Sequence, residues 1–157
     1  MDKGVVLITG GASGIGFAVA AQLGRAGYTV AVLGRNTQSG RQAATALCDL
    51  GIDAVGDGAD FSNYAEVASL RERLGPLSEP EILVCSAGVM SEKMSKTLRT
   101  APDEWDRVLG VNVMGVVNAL AHFAPPMVAA RSGKVIALSA CLGRFSGPGT
   151  SGGLAPY

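Results

Sequence analysis

The chain has 157 residues, of which 48% are hydrophobic and 22 are glycine. Its 13 basic and 13 acidic residues cancel to a net charge of zero, which disfavours a nucleic-acid surface, and no apolar stretch reaches the ~20 residues that span a bilayer. We therefore expect one cytoplasmic α/β domain over residues 1–157 that binds neither nucleic acid nor membrane. Its three scattered cysteines are expected to form no metal site.

Strands and helices are predicted to alternate along the chain. Apolar runs predict strands at 4–9, 28–34, 53–57, 81–86 and 134–139, and the segments between them predict helices near 14–26, 38–50, 63–74 and 102–130. Alternation of this kind indicates right-handed βαβ units. The sequence therefore predicts a doubly wound parallel sheet of about five strands.

A glycine-rich turn joins the first predicted strand to the first predicted helix. Glycines allow a tight turn and let a pyrophosphate approach the backbone, while the free N–H groups and the dipole of the helix N-terminus favour negative charge. Strand, turn and helix follow one another in the order of a Rossmann-type nucleotide site. The residues that we expect to contact a cofactor here are Thr9, Gly10, Ser13, Gly14, Ile15 and Gly16.

The second predicted strand ends at Gly34-Arg35, where a dinucleotide fold reads the adenosine ribose. An acidic side chain at position 34 would bind a ribose 2′-OH and repel a 2′-phosphate, and Gly34 leaves that place empty. The guanidinium of Arg35 suits a phosphate group. We therefore expect NADP(H) in preference to NAD(H); the alternative is that Arg35 is a solvated turn residue.

Three later segments carry small or polar residues beside predicted elements. Asp60-Phe61 follows the third strand, and either Asp60 or Ser62 is expected to cap the helix that comes next. Ser86-Ala87-Gly88 follows the fourth strand, where small residues let the backbone lie close to a ribose. Asn112 lies among valines in the long predicted helix, and a buried amide without partners costs ~1–3 kcal/mol.

The chain resembles the short-chain dehydrogenase/reductase family over its whole length, because it carries a T-G-x-x-x-G-x-G turn, Ala87-Gly88, Asn112 and Tyr157 in the family's order. The resemblance implies that Asp60, with Phe61 beside it, hydrogen-bonds the adenine amino group of the cofactor. It also implies that Asn112 kinks its helix and binds a water in a proton relay.

The resemblance further implies a catalytic serine and a catalytic tyrosine. The family's serine lies three residues before a glycine, a position that Ala140 holds here, so Ser139 is the candidate. Ser139 can act only if a bulge or bend turns it inward, because adjacent side chains of a strand point to opposite faces. Tyr157 matches the tyrosine that donates a proton to a carbonyl oxygen. The family's lysine follows four residues later, so we expect a chain truncated at the catalytic tyrosine.

Two functions stay open from the sequence. The first is an NADP(H)-dependent oxidoreductase that transfers a hydride between the nicotinamide and a small-molecule carbonyl or alcohol substrate, and that forms a homo-oligomer at full length. The second is a non-catalytic nucleotide-binding fragment or interaction domain, which Ala140 and the missing lysine favour. A methyltransferase-type nucleoside site is disfavoured, because its glycine turn does not need the Thr9–Gly16 pattern.

Overall fold

The computed structural model describes residues 3–92 and 97–140. Its strands are parallel and form one five-stranded sheet in the order β3-β2-β1-β4-β5. The strands are β1 (Val5–Thr9), β2 (Thr29–Gly34), β3 (Ala54–Gly58), β4 (Ile82–Cys85) and β5 (Lys134–Ala137). Because the chain runs outward from β1 to β3 and then returns to the other side of β1, the strand order reverses there. The predicted doubly wound parallel sheet is confirmed.

Helices connect the strands and cover both faces of the sheet. They are α1 (Gly14–Arg25), α2 (Thr37–Cys48), α3 (Tyr64–Leu74), α4 (Pro102–Leu109), α5 (Gly115–Phe123) and α6 (Pro125–Ala130). Short 3-10 turns lie at Gly75–Ser78 and Thr97–Arg99. In the described residues, no helix has both the length and the apolar character needed to cross a bilayer.

The prediction of one helix over 102–130 is wrong. A π-helical turn at Gly110–Met114 separates α4 from α5, and α6 begins at Pro125. A proline has no N–H to continue the preceding helix but fits the first turn of a new one. The apolar pattern ran through both interruptions, so it did not reveal them.

The core consists of two apolar layers, one on each face of the sheet. Leu7 and Leu83 of the strands pack with α3 and α5 on one face, whereas Val6 and Val32 pack with α1 and α2 on the other. Since strand side chains alternate between faces and both faces are covered, the central strands are continuously apolar. The edge strand β5 differs, because all four of its residues are exposed.

The cap of α3 also differs from the expectation. Asn63 caps this helix, because its side-chain oxygen accepts the N–H groups of Ala65 and Glu66 at 3.0 and 3.3 Å. Asp60 and Ser62 bond to each other instead: the Asp60 carboxylate accepts the Ser62 N–H at 2.9 Å and its O–H at 2.6 Å. The predicted capping role of Asp60 or Ser62 is therefore wrong, and the two residues form a compact turn before the helix.

Candidate functional site

Thr9 links the carboxyl ends of β1 and β4. Its carbonyl oxygen accepts the Ser86 N–H at 3.1 Å, and its side-chain oxygen accepts the Ala87 N–H at 3.2 Å. Thr9 is 2% exposed, so these bonds are made away from solvent, where an unpaired group is costly. They hold the loop after β4 against the glycine turn after β1.

The glycines of that turn are needed for different structural reasons. Gly10 has a φ of +67°, and a Cβ there would lie 2.7 Å from the backbone of Ala87. A Cβ at Gly16 would overlap the carbonyl oxygen of Gly10. Gly14 has a φ of +54° but a Cβ there would meet no atom within 4 Å. Packing therefore requires Gly10 and Gly16, whereas Gly14 exposes its backbone to open space at the start of α1.

An open cleft of about 560 Å³ begins at this turn. Its size falls in the range of small-molecule sites. It is lined by Gly10, Ser13, Gly14, Ile15, Ser86, Ala87, Gly88, Val89, Met90, Asn112, Val113, Leu138, Ser139 and Ala140. The cleft brings together most of the turn residues predicted for the cofactor, the loop after β4, Asn112 and the candidate serine. Tyr157 lies outside the described residues.

Gly34 and Arg35 lie at the carboxyl end of β2, on the same edge of the sheet as the glycine turn. Arg35 is exposed, so its guanidinium is accessible to a ligand. The sequence suggested only that an acidic side chain is missing at position 34. The structure shows that the space is already filled: a Cβ there would overlap the hydroxyl oxygen of Ser39 and lie 2.8 Å from the Gly40 nitrogen. Close packing of α2 on β2 thus excludes an acidic side chain here.

Asp60 and Phe61 continue the same edge at the end of β3. The loop that holds them is joined to β2 by the Ala59 N–H, which donates to the carbonyl oxygen of Gly34 at 3.3 Å. Asp60 is exposed, so its carboxylate is accessible to a ligand. The side chain of Phe61 is turned into the core and is 5% exposed, so only its backbone remains for a cofactor contact.

Asn112 lies in the π-helical turn and makes two hydrogen bonds to one residue of the loop after β4. Its side-chain oxygen accepts the Val89 N–H at 2.8 Å, and its Nδ2 donates to the Val89 carbonyl oxygen at 2.9 Å. The irregular turn is what places this amide opposite Val89. Asn112 therefore holds in place the loop that forms part of the cleft lining.

A second clamp, absent from the sequence-based hypotheses, lies one turn earlier on α4. Arg107 pairs with Glu104 at 2.8 Å and donates to the carbonyl oxygen of Met90 at 2.8 Å. Glu104 accepts the Glu92 N–H at 2.7 Å. The spacing of Glu104 and Arg107 by three residues could have predicted their ion pair. Their hydrogen bonds to the loop after β4 depend on the tertiary fold and could not be predicted in this way.

Two titratable groups near the site have clear electrostatic roles. Burial raises the pKa of Asp57, but hydrogen bonds from Arg73, Thr37 and the Gly58 N–H outweigh it and leave this pKa below its ordinary value. Asp57 thereby ties α2 and α3 to β3. Burial raises the pKa of the Cys85 thiol to about 11, so Cys85 stays a neutral core residue. Within the described ranges, no cluster of His, Cys, Asp and Glu forms a metal site.

Residues 4–152 match the profile of a protein family described as short chain dehydrogenase. The chain belongs to the short-chain dehydrogenase family. The resemblance found in the glycine turn and the later motifs is confirmed. The match covers nearly all of the sequence, including the described residues that line the cleft at the carboxyl edge of the sheet.

Known relatives agree with this assignment. The chain is 36% identical to a C alpha-dehydrogenase of Sphingobium, over 98% of its own length and 49% of that protein. An actinorhodin polyketide ketoreductase solved with NADPH matches with a TM-score of 0.87 and 26% identity, over 98% of this chain and 57% of that one. A 3-oxoacyl-[acyl-carrier protein] reductase from Brucella melitensis, solved with bound NAD, matches with a TM-score of 0.85 and 33% identity, over 94% and 57%. The chain thus spans about half the length of these relatives.

The described residues of this family member fit a dinucleotide. The backbone at Gly14 adjoins open space, and the Ser13 side chain makes no capping bond to α1. The first turn of α1 also carries no acidic residue. The N–H groups at the start of α1 are therefore available to a pyrophosphate, whose charge the helix dipole favours.

Proposed function

We propose that the full protein is an NADP(H)-dependent oxidoreductase that transfers a hydride between the nicotinamide and a small-molecule carbonyl or alcohol substrate. The observation that carries this proposal is the cleft, which joins the glycine turn to Asn112 and Ser139 in one cavity. A dehydrogenase and two reductases among the relatives support the same reaction type. Since carbonyl reduction and alcohol oxidation are the two directions of one reaction, the proposal covers both.

The chain's own residues have defined parts in this chemistry. The N–H groups after Gly14 would hold the pyrophosphate, and the loop held by Thr9 and Asn112 would contact the ribose. When bound, the nicotinamide supplies or accepts the hydride. Ser139 donates a hydrogen bond to the substrate oxygen, and Tyr157 exchanges a proton with that oxygen as the hydride moves.

NADP(H) is the proposed cofactor because Arg35 is exposed beside the end of β2 and offers a bidentate donor to a 2′-phosphate. The packing at Gly34 leaves no room for the acid that would select a 2′-OH. The related structures hold either NADPH or NAD, so the choice rests on these two residues of this chain.

The test is turnover by the full-length protein. Purified protein is incubated with NADPH and a panel of ketones and aldehydes, and with NADP⁺ and the matching alcohols, while NADPH absorbance is followed. We expect cofactor-dependent turnover of at least one pair. Cofactor binding without turnover of any member would reject the oxidoreductase and favour the second candidate, a non-catalytic nucleotide-binding domain. That candidate is supported by Ala140, which lies in the cleft where the family places its serine.

We also propose that the full protein forms a homo-oligomer. The π-helical turn and α5 expose apolar side chains that include Val113 at 51% and Val117 at 47%. Neighbouring apolar residues on an exposed helical surface are typical of a protein interface. Light scattering after size-exclusion chromatography tests this: a mass that is a multiple of the chain mass is expected, and a monomer at all concentrations contradicts it.

A further inference from the structure

Asn118 of α5 is a buried amide outside the cleft. It is 4% exposed, and its Nδ2 donates to the carbonyl oxygen of Phe61 at 2.8 Å. Its neighbours Ala119 and Phe123 are fully buried and belong to the same apolar cluster as Phe61. A polar side chain in such surroundings is tolerated only because it is hydrogen-bonded. The bond joins two segments that are 57 residues apart.

The loop that Asn118 holds packs directly on the helices beneath it. A Cβ at Gly115 would lie 3.4 Å from the Cβ of Phe61, and a Cβ at Gly110 would lie 3.3 Å from the Cβ of Ser62. Gly110 therefore sits tightly against the loop, whereas the contact at Gly115 has ordinary van der Waals spacing. The amide of Asn118 then fixes where along the helix the Phe61 backbone rests.

The other hydrogen bonds of this loop run in different directions. The Ala59 N–H reaches Gly34 in β2, the Asp60 N–H reaches Glu66 in α3 at 3.0 Å, and the Asp60 carboxylate bonds within the loop to Ser62. In the part of the chain that the structure describes, the hydrogen bond from Asn118 joins the loop to α5, beside the apolar packing of Phe61 on that helix. Without it, the loop keeps its bonds to β2 and α3 but loses its hydrogen bond to α5.

We propose that Asn118 is a positioning residue for the adenosine half of the cofactor, acting through the Phe61 carbonyl to place Asp60. The inference rests on the proposed function, because it assumes that the cofactor's adenosine lies at the carboxyl ends of β2 and β3. Asn118 lines no part of the cleft where the nicotinamide end reacts. Its loss therefore weakens binding of one half of the cofactor and spares the other.

The test separates the two halves with two probes. ADP-ribose bearing a 2′-phosphate, called ADP-ribose below, carries the adenosine and pyrophosphate, and reduced nicotinamide mononucleotide carries only the nicotinamide end. Calorimetry on the full chain gives Kd for each probe in the wild type and in Asn118→Leu, which keeps the side chain's size but cannot donate. We expect ADP-ribose to bind about tenfold more weakly to the variant, with the Kd of the mononucleotide unchanged.

Ser78→Ala is the matched control. Ser78 is also buried, at 6% exposure, and also donates to a backbone carbonyl, that of Gly75 at 2.7 Å, but it precedes β4 at the opposite end of the sheet. We expect this variant to lose stability without a change in either Kd. Circular dichroism confirms that each variant is folded before binding is measured. If Asn118→Leu does not fold, Asn118→Ser is used, whose short hydroxyl does not reach the Phe61 carbonyl.

Each outcome decides a different claim. A folded Asn118 variant that binds ADP-ribose as tightly as the wild type overturns the positioning role. An equal loss for both probes overturns it as well, because the effect is then not confined to the adenosine half. A wild-type chain that binds neither probe overturns the proposed function itself, whatever the variants do.

Discussion

The two sides of β1 are held together in different ways. On the side of β2 and β3, backbone packs directly on backbone: a Cβ at Gly40 would overlap the carbonyl oxygen of Asp57, and a Cβ at Gly56 would overlap that of Gly40. No side chain can be added at these glycines without moving α2 off the sheet. The close packing on this side therefore depends on the absence of a Cβ at these glycines.

On the side of β4 and β5, polar side chains make the connections. Thr9, Asn112 and Arg107 each reach across to the backbone of the loop after β4, and β5 remains exposed at the edge. Such connections can be removed one at a time. The comparison indicates that changes at the closely packed glycines of the first side alter stability, whereas changes to the polar side chains that line the cleft on the second side alter its chemistry.

The largest effect is expected from Gly40→Ala. Alanine normally favours a helix over glycine by ~1 kcal/mol, but here its Cβ meets the backbone of β3, which cannot yield. We expect the free energy of unfolding to fall by ~3 kcal/mol or more, measured by chemical denaturation. The matched control is Gly115→Ala in α5, where the nearest atom to the new Cβ lies at 3.4 Å. A Gly40→Ala protein as stable as its control would show that the close packing is not required.

Ser139→Ala tests the opposite side. Ser139 is exposed and lines the cleft, so its removal leaves the unfolding free energy unchanged. If its hydroxyl contacts the substrate oxygen, kcat of the full-length enzyme falls by about 100-fold. Steady-state kinetics with the best substrate of the panel measures this, and an unchanged kcat would remove Ser139 from the mechanism.

Arg35→Ala is expected to have a smaller effect, confined to cofactor choice. Loss of a charged bidentate donor weakens NADPH binding by about tenfold or somewhat more and leaves NADH binding unchanged. Arg25→Ala is the control, since Arg25 is also exposed but lies in the last turn of α1 at the other end of the sheet. If the ratio of the two Kd values does not change in Arg35→Ala, the NADP(H) preference is not due to this residue.

The smallest effect concerns acid stability on the glycine-packed side. The pKa of Asp57 in the folded chain lies below its ordinary value of 3.8, so the charged carboxylate stabilises the fold above pH ~4 and this contribution disappears as the pH falls through the folded pKa. Because Arg73 is 45% exposed, we expect only ~1 kcal/mol. Asp57→Asn should flatten the loss of stability between pH 5 and pH 3, whereas Asp49→Asn, a change at an exposed carboxyl, should leave it intact.

The sequence predicted the sheet well because its signals are local. Buried parallel strands appear as apolar runs, and the glycine turn marks where a strand meets a helix. The cap of α3 was missed for a physical reason: Asp60, Ser62 and Asn63 all carry a suitable oxygen, and only the backbone geometry decides which of them faces the first turn. The π-helical turn was missed because one extra residue in a helix barely disturbs its apolar pattern.

The site was predictable only in part. Residues adjacent in the glycine turn could be assigned together to one site. The hydrogen bonds of Asn112 to Val89 and of Asn118 to Phe61 join segments far apart in the chain. The fit of Gly34 against α2 also depends on packing that no spacing rule reveals. The sequence shows that Asn112 and Asn118 are polar residues within apolar helices and must find hydrogen-bond partners. Only the fold shows which partners these are.

Hydrogen exchange with and without NADPH tests the central claim, that the cleft at the carboxyl edge binds the cofactor. The account predicts slower exchange of backbone amides in three separate segments: the turn at 10–16, the loop at 86–90 and the end of β2 near Arg35. The amino ends of the same strands should not change. Protection confined to other regions, or none at saturating NADPH, would contradict the assignment of the site.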